Sequence, residues 1–220
     1  MRLLLRRIDG ADYAAVFEAM RQYTDTRDES SADQIWLTEH QPVFTQGQAG
    51  KAEHVLQQSD IPIVQIDRGG QVTYHGPGQA VVYVLIDIKR QGIGVREMVT
   101  HMENAMIDFL KDYGVDSFAR ADAPGVYTAK GKIGALGLRV RRGCTYHGLA
   151  LNIKTDLSPF SMINPCGYAG MAVAKLDDFA AGVGFDVAAP RLVKALVDRL
   201  NYPQIDSQLD TLISPMEAIA

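Results

Sequence analysis

Residues 80–88 constrain the fold of this 220-residue chain more than any other segment. They read Ala-Val-Val-Tyr-Val-Leu-Ile-Asp-Ile, and β-branched side chains of this kind favour strands. Apolar residues occupy both odd and even positions, so both faces of the strand are apolar, as in a strand covered on two sides. The run therefore predicts a central strand of a sheet.

Other apolar segments predict further strands, at residues 2–8, 34–39, 43–46 and 61–66. Three more candidate strands follow one another closely, at residues 125–129, 133–140 and 145–153. Gly131 and Gly143 mark the turns between these three strands, which predicts an antiparallel meander.

Helices are predicted where apolar residues recur every three or four positions. One begins at Asp9 or Asp12, which can cap it, and runs to about Arg27; another covers residues 95–113 and ends at Gly114. Residues 175–183 and 190–200 also have a helical pattern, and the end of the chain predicts only a short terminal helix. This order of elements predicts an α+β fold with a mixed, mostly antiparallel sheet flanked by helices.

Composition narrows the class of protein. No linker, repeat or charge run divides the chain, so we expect a single domain over residues 1–220. The net charge of -4 argues against general nucleic-acid binding, and no apolar run approaches the ~20 residues of a membrane span. With two cysteines, too few for a disulfide framework, and no signal-peptide pattern, we expect a cytoplasmic protein that binds neither nucleic acid nor membrane.

The segment before the central strand is the first candidate site. Residues 68–79 read Arg-Gly-Gly-Gln-Val-Thr-Tyr-His-Gly-Pro-Gly-Gln, and polar side chains alternate there with glycine. Glycine lets a backbone approach a ligand closely, and twelve such residues exceed what a hairpin turn needs. The segment is interpreted as the wall of a binding site.

The two cysteines differ in context. Cys166 lies in a loop between proline and glycine, where its sulfur is a candidate nucleophile if a nearby cation raises its thiolate fraction, although loop thiols are often inert. Cys144 begins a predicted strand and is interpreted as a small buried apolar residue. Lys132 is the candidate cation, because small residues surround it in Gly-Lys-Ile-Gly-Ala-Leu-Gly.

The histidines fall into two groups. His40, His75 and His147 adjoin loops or strand ends and are candidates for the walls of a site, whereas His54 and His101 lie in predicted helices and are expected to be solvated. No Cys or His pair has the spacing of a zinc site, so no metal is expected. The nucleotide-binding and serine-nucleophile motifs Gly-x-x-x-x-Gly-Lys-Ser/Thr, Gly-x-Gly-x-x-Gly and Gly-x-Ser-x-Gly are absent.

Three motifs together resemble one family. Residues 68–79, residues 131–152 and the Asn-Pro-Cys-Gly of residues 164–167 are similar to those of lipoyl(octanoyl) transferases, and the likeness runs from about residue 30 to about residue 180. These enzymes transfer octanoyl groups from acyl carrier protein to proteins in lipoate biosynthesis. The resemblance implies the fold shared by lipoate–protein and biotin–protein ligases, in agreement with the order of elements.

The resemblance also implies roles for individual residues. Cys166 would accept the octanoyl group as a thioester, and Lys132 would pair with it. The implied substrate-binding residues come from three segments: Arg68, Gly69, Gly70, Gln71, Val72, Thr73, Tyr74 and His75; Ala135, Leu136 and Gly137; and Gly148, Leu149 and Ala150.

The implied partners are octanoyl–acyl carrier protein as donor, and the lipoyl domains of 2-oxoacid dehydrogenases and the glycine cleavage H protein as acceptors. No bound cofactor is expected, because the donor carries its phosphopantetheine on its own chain. Acyl carrier proteins are strongly acidic, so Arg139, Arg141 and Arg142 are candidate docking residues, although solvated surface arginines are common.

Three alternatives stay open on sequence alone. An ATP-dependent lipoate–protein ligase would need no cysteine nucleophile, a non-catalytic member would only bind lipoyl domains or acyl carriers, and a thioesterase would pass the acyl group to water. For the transferase, we expect Lys132 to favour the thiolate and later to accept a proton from the attacking amine. Backbone N–H groups of the glycine-rich segments, with His75 or His147, are candidate oxyanion donors.

Overall fold

The computed structural model describes residues 1–219, except for the side chain of Cys166. Its main sheet has eight strands in the order β11-β1-β2-β6-β10-β9-β8-β7, and a small sheet has the order β4-β3-β5. The strands are β1 (Arg2–Ile8), β2 (Asp33–Thr38), β3 (Val43–Gln46), β4 (Ile63–Gln65), β5 (Val72–His75), β6 (Gln79–Leu85), β7 (Phe118–Ala119), β8 (Val126–Thr128), β9 (Gly131–Arg141), β10 (Cys144–Asn152) and β11 (Gln204–Ile213).

The helices are α1 (Tyr13–Thr26), α2 (Ile88–Gln91), α3 (Val95–Asp112) and α4 (Phe185–Leu200). The Asp12 carboxylate caps α1 by accepting hydrogen bonds from the N–H groups of Ala14 and Ala15. After α3, Gly114 adopts a positive φ of 70°, which ends the helix as its sequence predicts. Short 3-10 turns cover Ala52–His54, Ser158–Met162, Pro165–Gly167 and Leu176–Asp178.

The predicted sheet is confirmed as mixed and mostly antiparallel. β1 pairs in parallel with β2 and β11, and β3 pairs in parallel with β4, while the remaining pairs of named strands are antiparallel. The predicted meander is formed by β8, β9 and β10. β6 lies between β2 and β10 and is buried along its whole length, as expected for a central strand.

Period-two alternation in β6 divides the core into two layers. Ala80, Val82 and Val84 face the cluster that contains α3 and α4. The alternate residues of β6, Val81, Tyr83 and Leu85, face the cluster that contains α1. The sheet is therefore covered by helices on both faces.

The end of the chain differs from its prediction. Residues 204–213 form a strand, β11, which pairs in parallel with β1, instead of contributing only a short helix. Most of its side chains are at least partly exposed, so its apolar pattern is weak. The strand is fixed by backbone pairing at the edge of the sheet, which leaves little trace in a sequence.

The predicted helix at residues 175–183 is also wrong. Only Leu176–Asp178 forms a 3-10 turn, in which the Asp178 carboxylate accepts a hydrogen bond from the Lys175 N–H at 2.9 Å. Gly182 then adopts a positive φ of 83°, which an α-helix does not tolerate. The next helix, α4, begins at Phe185 and not at residue 190.

Candidate functional site

The small sheet and the main sheet face each other across a cavity. Alternation along β5 sends Thr73 and His75 into this cavity. Val72 and Tyr74 belong instead to an apolar cluster under the loop that precedes residue 166, where they pack with Phe160. Of these four predicted substrate-binding residues, two line the cavity and two support its wall from behind.

β9 and β10 form the opposite wall. Six predicted residues lie there in register, because Ala135 pairs with Ala150, Leu136 with Leu149, and Gly137 with Gly148. Arg68 completes the lining of this part of the cavity. A Cβ at Gly137 would lie 3.1 Å from Cδ of Arg68, so the absence of a side chain there lets the arginine lie close to β9. The cavity holds about 430 Å³ of empty space, counted to its open mouth.

His75 is held in a chain of buried polar groups. Its Nδ1 lies 2.6 Å from Oε1 of Gln79, and its Nε2 lies 3.3 Å from Oγ1 of Thr45. Gln79 in turn donates a hydrogen bond from Nε2 to Oδ1 of Asn152 at 2.9 Å. Burial, with a smaller contribution from the charge of His40, lowers the pKa of His75 to about 3, so the ring is neutral near neutral pH.

His40 is the second buried histidine. Nδ1 lies 2.6 Å from the Gly10 carbonyl oxygen, which only accepts, so Nδ1 carries the proton. Nε2 then accepts a hydrogen bond from the Tyr83 hydroxyl at 2.7 Å. Burial lowers the pKa of His40 to about 4 and raises the pKa of Tyr13, which also lines the cavity, to about 12. Tyr13, Tyr83 and His75 thus give the cavity neutral polar groups, and His40 is bonded to the lining through Tyr83.

His147 lines the same cavity, in β10, with a positive φ of 62°. Its Nε2 lies 2.9 Å from Oδ1 of Asp67. The other carboxylate oxygen of Asp67, Oδ2, accepts a hydrogen bond from the Tyr146 hydroxyl. Burial raises the pKa of Asp67, but the hydrogen bonds from His147 and Tyr146 lower it further than burial raises it. Burial also lowers the pKa of His147, against the effect of Asp67.

Lys132 lies at the other end of the site and is 5% exposed. Its Nζ donates a hydrogen bond to the Pro124 carbonyl oxygen at 2.9 Å and lies 5.3 Å from the centre of the Tyr127 ring. Lys132 also anchors the loop after residue 166, because its N–H bonds the Ala172 carbonyl oxygen and its own carbonyl oxygen accepts the Ala174 N–H, each at 2.9 Å.

Lys132 and Pro165 line one small cavity, next to the larger one. Pro165 begins the 3-10 turn Pro165–Gly167, in which Gly167 has a positive φ of 82°. The fold thus brings the turn that contains the predicted nucleophile to the predicted cation. Cys166 itself, the predicted nucleophile, lies outside the described side chains.

A surface groove opens onto Lys132 from the other side. Gly69, Gly70 and Gln71 line this groove, together with Tyr168. Leu136 and Gly137 line both the groove and the larger cavity, so β9 separates the two openings. The predicted substrate-binding residues other than Val72 and Tyr74 therefore line one or both of two spaces, the cavity and the groove.

Several residues of the site were not predicted from sequence. Tyr13 and Tyr83 line the cavity, and Asp67 orients one of its histidines. Tyr83 could have been identified from the sequence, because it places a hydroxyl in a strand that is otherwise apolar and buried. A buried hydroxyl requires a hydrogen-bond partner. Within residues 1–219, leaving aside the side chain of Cys166, no group of three or more His, Cys, Asp or Glu residues could hold a metal ion.

Comparison with known proteins defines the class. Residues 12–198 match the model of the lipoyl protein ligase A/B catalytic domain, and the chain belongs to this family. A protein of Vibrio cholerae named octanoyltransferase is 57% identical over 205 residues, which cover 93% of this chain and 94% of the relative. An Escherichia coli protein of the same name is 54% identical, over 93% of this chain and 96% of its own length.

Solved structures agree with this fold. A lipoate protein ligase from Thermoplasma acidophilum superposes with a TM-score of 0.77 at 18% identity, covering all of this chain and 90% of that one. Lipoate-protein ligase A bound with ATP gives 0.75 at 19% identity, with 99% and 91% covered. A biotin protein ligase from Aquifex aeolicus gives 0.51 at 9% identity, over 90% of this chain and 69% of the other, so the predicted ligase-like fold is confirmed.

Proposed function

We propose that this protein is an acyltransferase that moves an octanoyl group from acyl carrier protein to the ε-amine of a lysine on a lipoyl domain. The relatives at 54% to 57% identity that are named octanoyltransferase support this activity. In the structure, one observation supports it most. Buried Lys132 and Pro165 line one cavity, so a cation and the Cys166 turn face the same space.

The first step is exchange between two thioesters. The Cys166 thiolate attacks the carbonyl carbon of the donor, a new C–S bond forms, and the C–S bond to the carrier breaks. The departing carrier sulfur takes one proton from the Lys132 ammonium, and the carrier leaves as a thiol. The Lys132 ammonium favours the Cys166 thiolate by its charge, which increases the fraction of the reactive form.

The second step forms an amide. A neutral lysine amine attacks the thioester carbonyl carbon, its C–N bond forms, and the C–S bond to Cys166 breaks. The nitrogen loses one proton to the neutral Lys132 amine, and the departing sulfur ends as a thiolate beside the restored Lys132 ammonium. A covalent intermediate divides one encounter between three groups into two simpler reactions.

The larger cavity is suited to the acyl chain. Leu136, Leu149 and the small residues of β9 and β10 give it an apolar wall. His75, in its lining, is uncharged near neutral pH, so the Arg68 guanidinium is the charge beside which an apolar chain would lie. Gly69, Gly70 and Gln71, in the outer groove, would contact the part of the substrate outside the cavity.

We further propose that residues 1–220 act as one catalytic domain in the cytoplasm, with no resident cofactor. Lipoyl domains of 2-oxoacid dehydrogenases and of the glycine cleavage H protein are the proposed acceptors. None of the helices in the described part of the chain is long and apolar enough to cross a membrane.

Intact-protein mass spectrometry tests the proposal. The protein is mixed with octanoyl–acyl carrier protein without ATP, and apo lipoyl domain is added afterwards. We expect a mass gain of one octanoyl group, its loss on addition of the lipoyl domain, and no adduct on a Cys166→Ala variant. If no adduct forms and octanoylation requires free octanoate and ATP, the protein is instead a ligase.

A further inference from the structure

Residues 51–56 contact the loop that leads to Cys166. The Leu56 N–H donates to the Met162 carbonyl oxygen at 2.8 Å, and Val55 forms an antiparallel bridge with Ile163. The Asn164 N–H then donates to the His54 carbonyl oxygen at 2.8 Å. These backbone contacts extend to the residue that precedes the Pro165–Gly167 turn.

The same segment contacts the glycine-rich wall. The Lys51 N–H donates to Oε1 of Gln71 at 3.2 Å. A Cβ placed on Gly167 would lie 3.1 Å from Cγ of Gln71 and 3.4 Å from Nε2 of His54. The side chains of His54 and Gln71 thus flank the residue directly after Cys166, and the positive φ of 82° favours glycine at this position.

The His54 ring makes a polar contact of its own. Its Nδ1 lies 3.4 Å from the Asn164 amide nitrogen, Nδ2. An amide nitrogen only donates, so Nδ1 is the acceptor and the ring proton is on Nε2, the nitrogen that faces Gly167. The ring is half-buried and has this polar contact, which the sequence did not indicate.

We propose that His54 is a positioning residue for acyl transfer, which holds the Asn164–Gly167 turn against Gln71 and thereby sets the position of Cys166 in the site. The inference rests on the proposed function, because it takes Cys166 as the acylated residue. His54 acts through Asn164 and through its contact with Gly167, and it exchanges no proton with the substrate in this assignment. A nucleophile displaced by about 1 Å can lose about 100-fold in rate, so a weakened turn has a measurable effect.

Four variants separate positioning from folding. His54→Leu removes both ring nitrogens, His54→Asn keeps an acceptor near the place of Nδ1, and His54→Gln keeps a polar group only near the place of Nε2. The matched control is His101→Leu, since His101 is a half-buried histidine on α3 whose polar contact is a 3.9 Å approach to Glu97.

The measurement is the single-turnover rate of octanoyl adduct formation, followed by intact mass, with a thermal unfolding midpoint for each variant. We expect His54→Leu to acylate about 10- to 100-fold more slowly, with His54→Gln equally slow. His54→Asn should recover most of the rate, and His101→Leu should match the unsubstituted protein. When the acylated His54 variants are titrated with lipoyl domain, the KM for the lipoyl domain should equal that of the unsubstituted protein.

Two results would overturn the assignment. Folded His54→Leu protein that acylates at the unsubstituted rate would show that His54 positions nothing. Recovery in His54→Gln but not in His54→Asn would remove the role of Nδ1. If the unsubstituted protein itself forms no adduct, the proposed function has failed, and that outcome is separate from both.

Discussion

Nε2 of His147 lies 2.9 Å from the carboxylate of Asp67, at the edge of the larger cavity. The Asp67→Asn substitution removes the negative charge and leaves a single acceptor for the two donors, His147 and Tyr146. We expect the free energy of unfolding to fall by about 1.5–3 kcal/mol, the range for a hydrogen bond to a charged group. Because His147 lines the cavity, the KM for the octanoyl donor should rise as well.

Urea denaturation and steady-state kinetics measure both effects. Asp122→Asn is the control, because Asp122 pairs with Arg120 on the exposed surface and should change neither quantity by much. An Asp67→Asn protein as stable as the control variant would show that the Asp67–His147 contact contributes nothing.

Lys132 gives the second prediction. Lys132→Ala should slow acylation of Cys166 and transfer to the lipoyl domain together, by about 100-fold or more, because Lys132 gives up a proton in the first half-reaction and takes one back in the second. Lys130→Ala is the matched control, since Lys130 lies two residues away but donates to the Asp178 carbonyl oxygen on the exposed side of the turn.

Rapid-quench measurement of the two half-reactions distinguishes the outcomes. Loss of only the second half-reaction in Lys132→Ala would limit the lysine to amine deprotonation. Equal rates in Lys132→Ala and Lys130→Ala would exclude the assigned role.

The buried histidines predict a pH dependence of stability. The pKa values of His40 and His75 are lowered from 6.5 to about 4 and about 3 in the folded protein. Between pH 6.5 and about 4, the unfolded chain therefore binds protons that the folded protein does not. The free energy of unfolding should fall with decreasing pH in this window, by about 1.4 kcal/mol per pH unit for each histidine.

Urea denaturation at a series of pH values tests this dependence. His40→Gln or His75→Gln should each remove about half of the added slope, while His101→Gln should leave it unchanged. A stability that does not vary between pH 4 and 6.5 would contradict the neutral state of both rings.

Asp33 gives a prediction about stability alone. Its buried carboxylate lies 2.5 Å from Nη2 of Arg27 and 2.9 Å from Nη2 of Arg90, and the Tyr202 hydroxyl donates to it at 2.7 Å. Asp33→Ala leaves these partners buried without their acceptor and should cost about 3–5 kcal/mol. The matched control is Asp206→Ala, which removes a surface pair with Arg2 and should cost at most about 1 kcal/mol.

Chemical denaturation of both variants gives the comparison. A cost below 1 kcal/mol for Asp33→Ala would show that the arginines find other acceptors. Adduct formation by the folded fraction should be unaffected in either case.

The candidate docking arginines separate in space. Arg139 is half-buried near the cavity, and its Nη1 donates to Oε1 of Gln48 at 3.0 Å. Arg141 pairs with the Asp25 carboxylate at 3.0 Å, and Arg142 donates to the Asp25 carbonyl oxygen at 2.7 Å. Arg141 lies nine positions beyond Lys132 along the strand, a distance of about 30 Å.

Charge reversal should therefore act unequally. Arg139→Glu should raise the KM for an acidic carrier by about tenfold at low salt, and the effect should shrink as salt is added. Arg141→Glu combined with Arg142→Glu should have a smaller effect, because Asp25 already occupies both side chains. An equal or larger effect of the double variant would place the carrier at the far end of the β9–β10 hairpin.

Much of the fold was predictable because its signals are local. Residues 80–88 and the meander strands bury apolar side chains that identify them in the sequence. β11 was missed because backbone pairing with β1, two hundred residues away, fixes a strand whose side chains are largely exposed. Residues 175–183 have the apolar spacing of a helix but do not form one. Gly182 has a positive φ, which is incompatible with an α-helix.

The candidate site was predictable in part. The motifs identified the segments of the site, but strand alternation decided that Thr73 and His75, and not Val72 and Tyr74, face the cavity. His54 was missed because its contacts with Asn164 and Gly167 join segments more than one hundred residues apart. Such pairings depend on the tertiary fold, which short-range spacing does not encode.

The positions of β10 and β11 in the main sheet have a consequence for hydrogen exchange. β10 is buried throughout and bonded on both sides, by β6 and β9, whereas β11 is an exposed edge strand. Amide protons of β11 should exchange through local opening, and those of β10 only through unfolding of the whole sheet. The β10 wall of the larger cavity would thus outlast the edge of the molecule, and a chain with β11 detached would still present an assembled cavity.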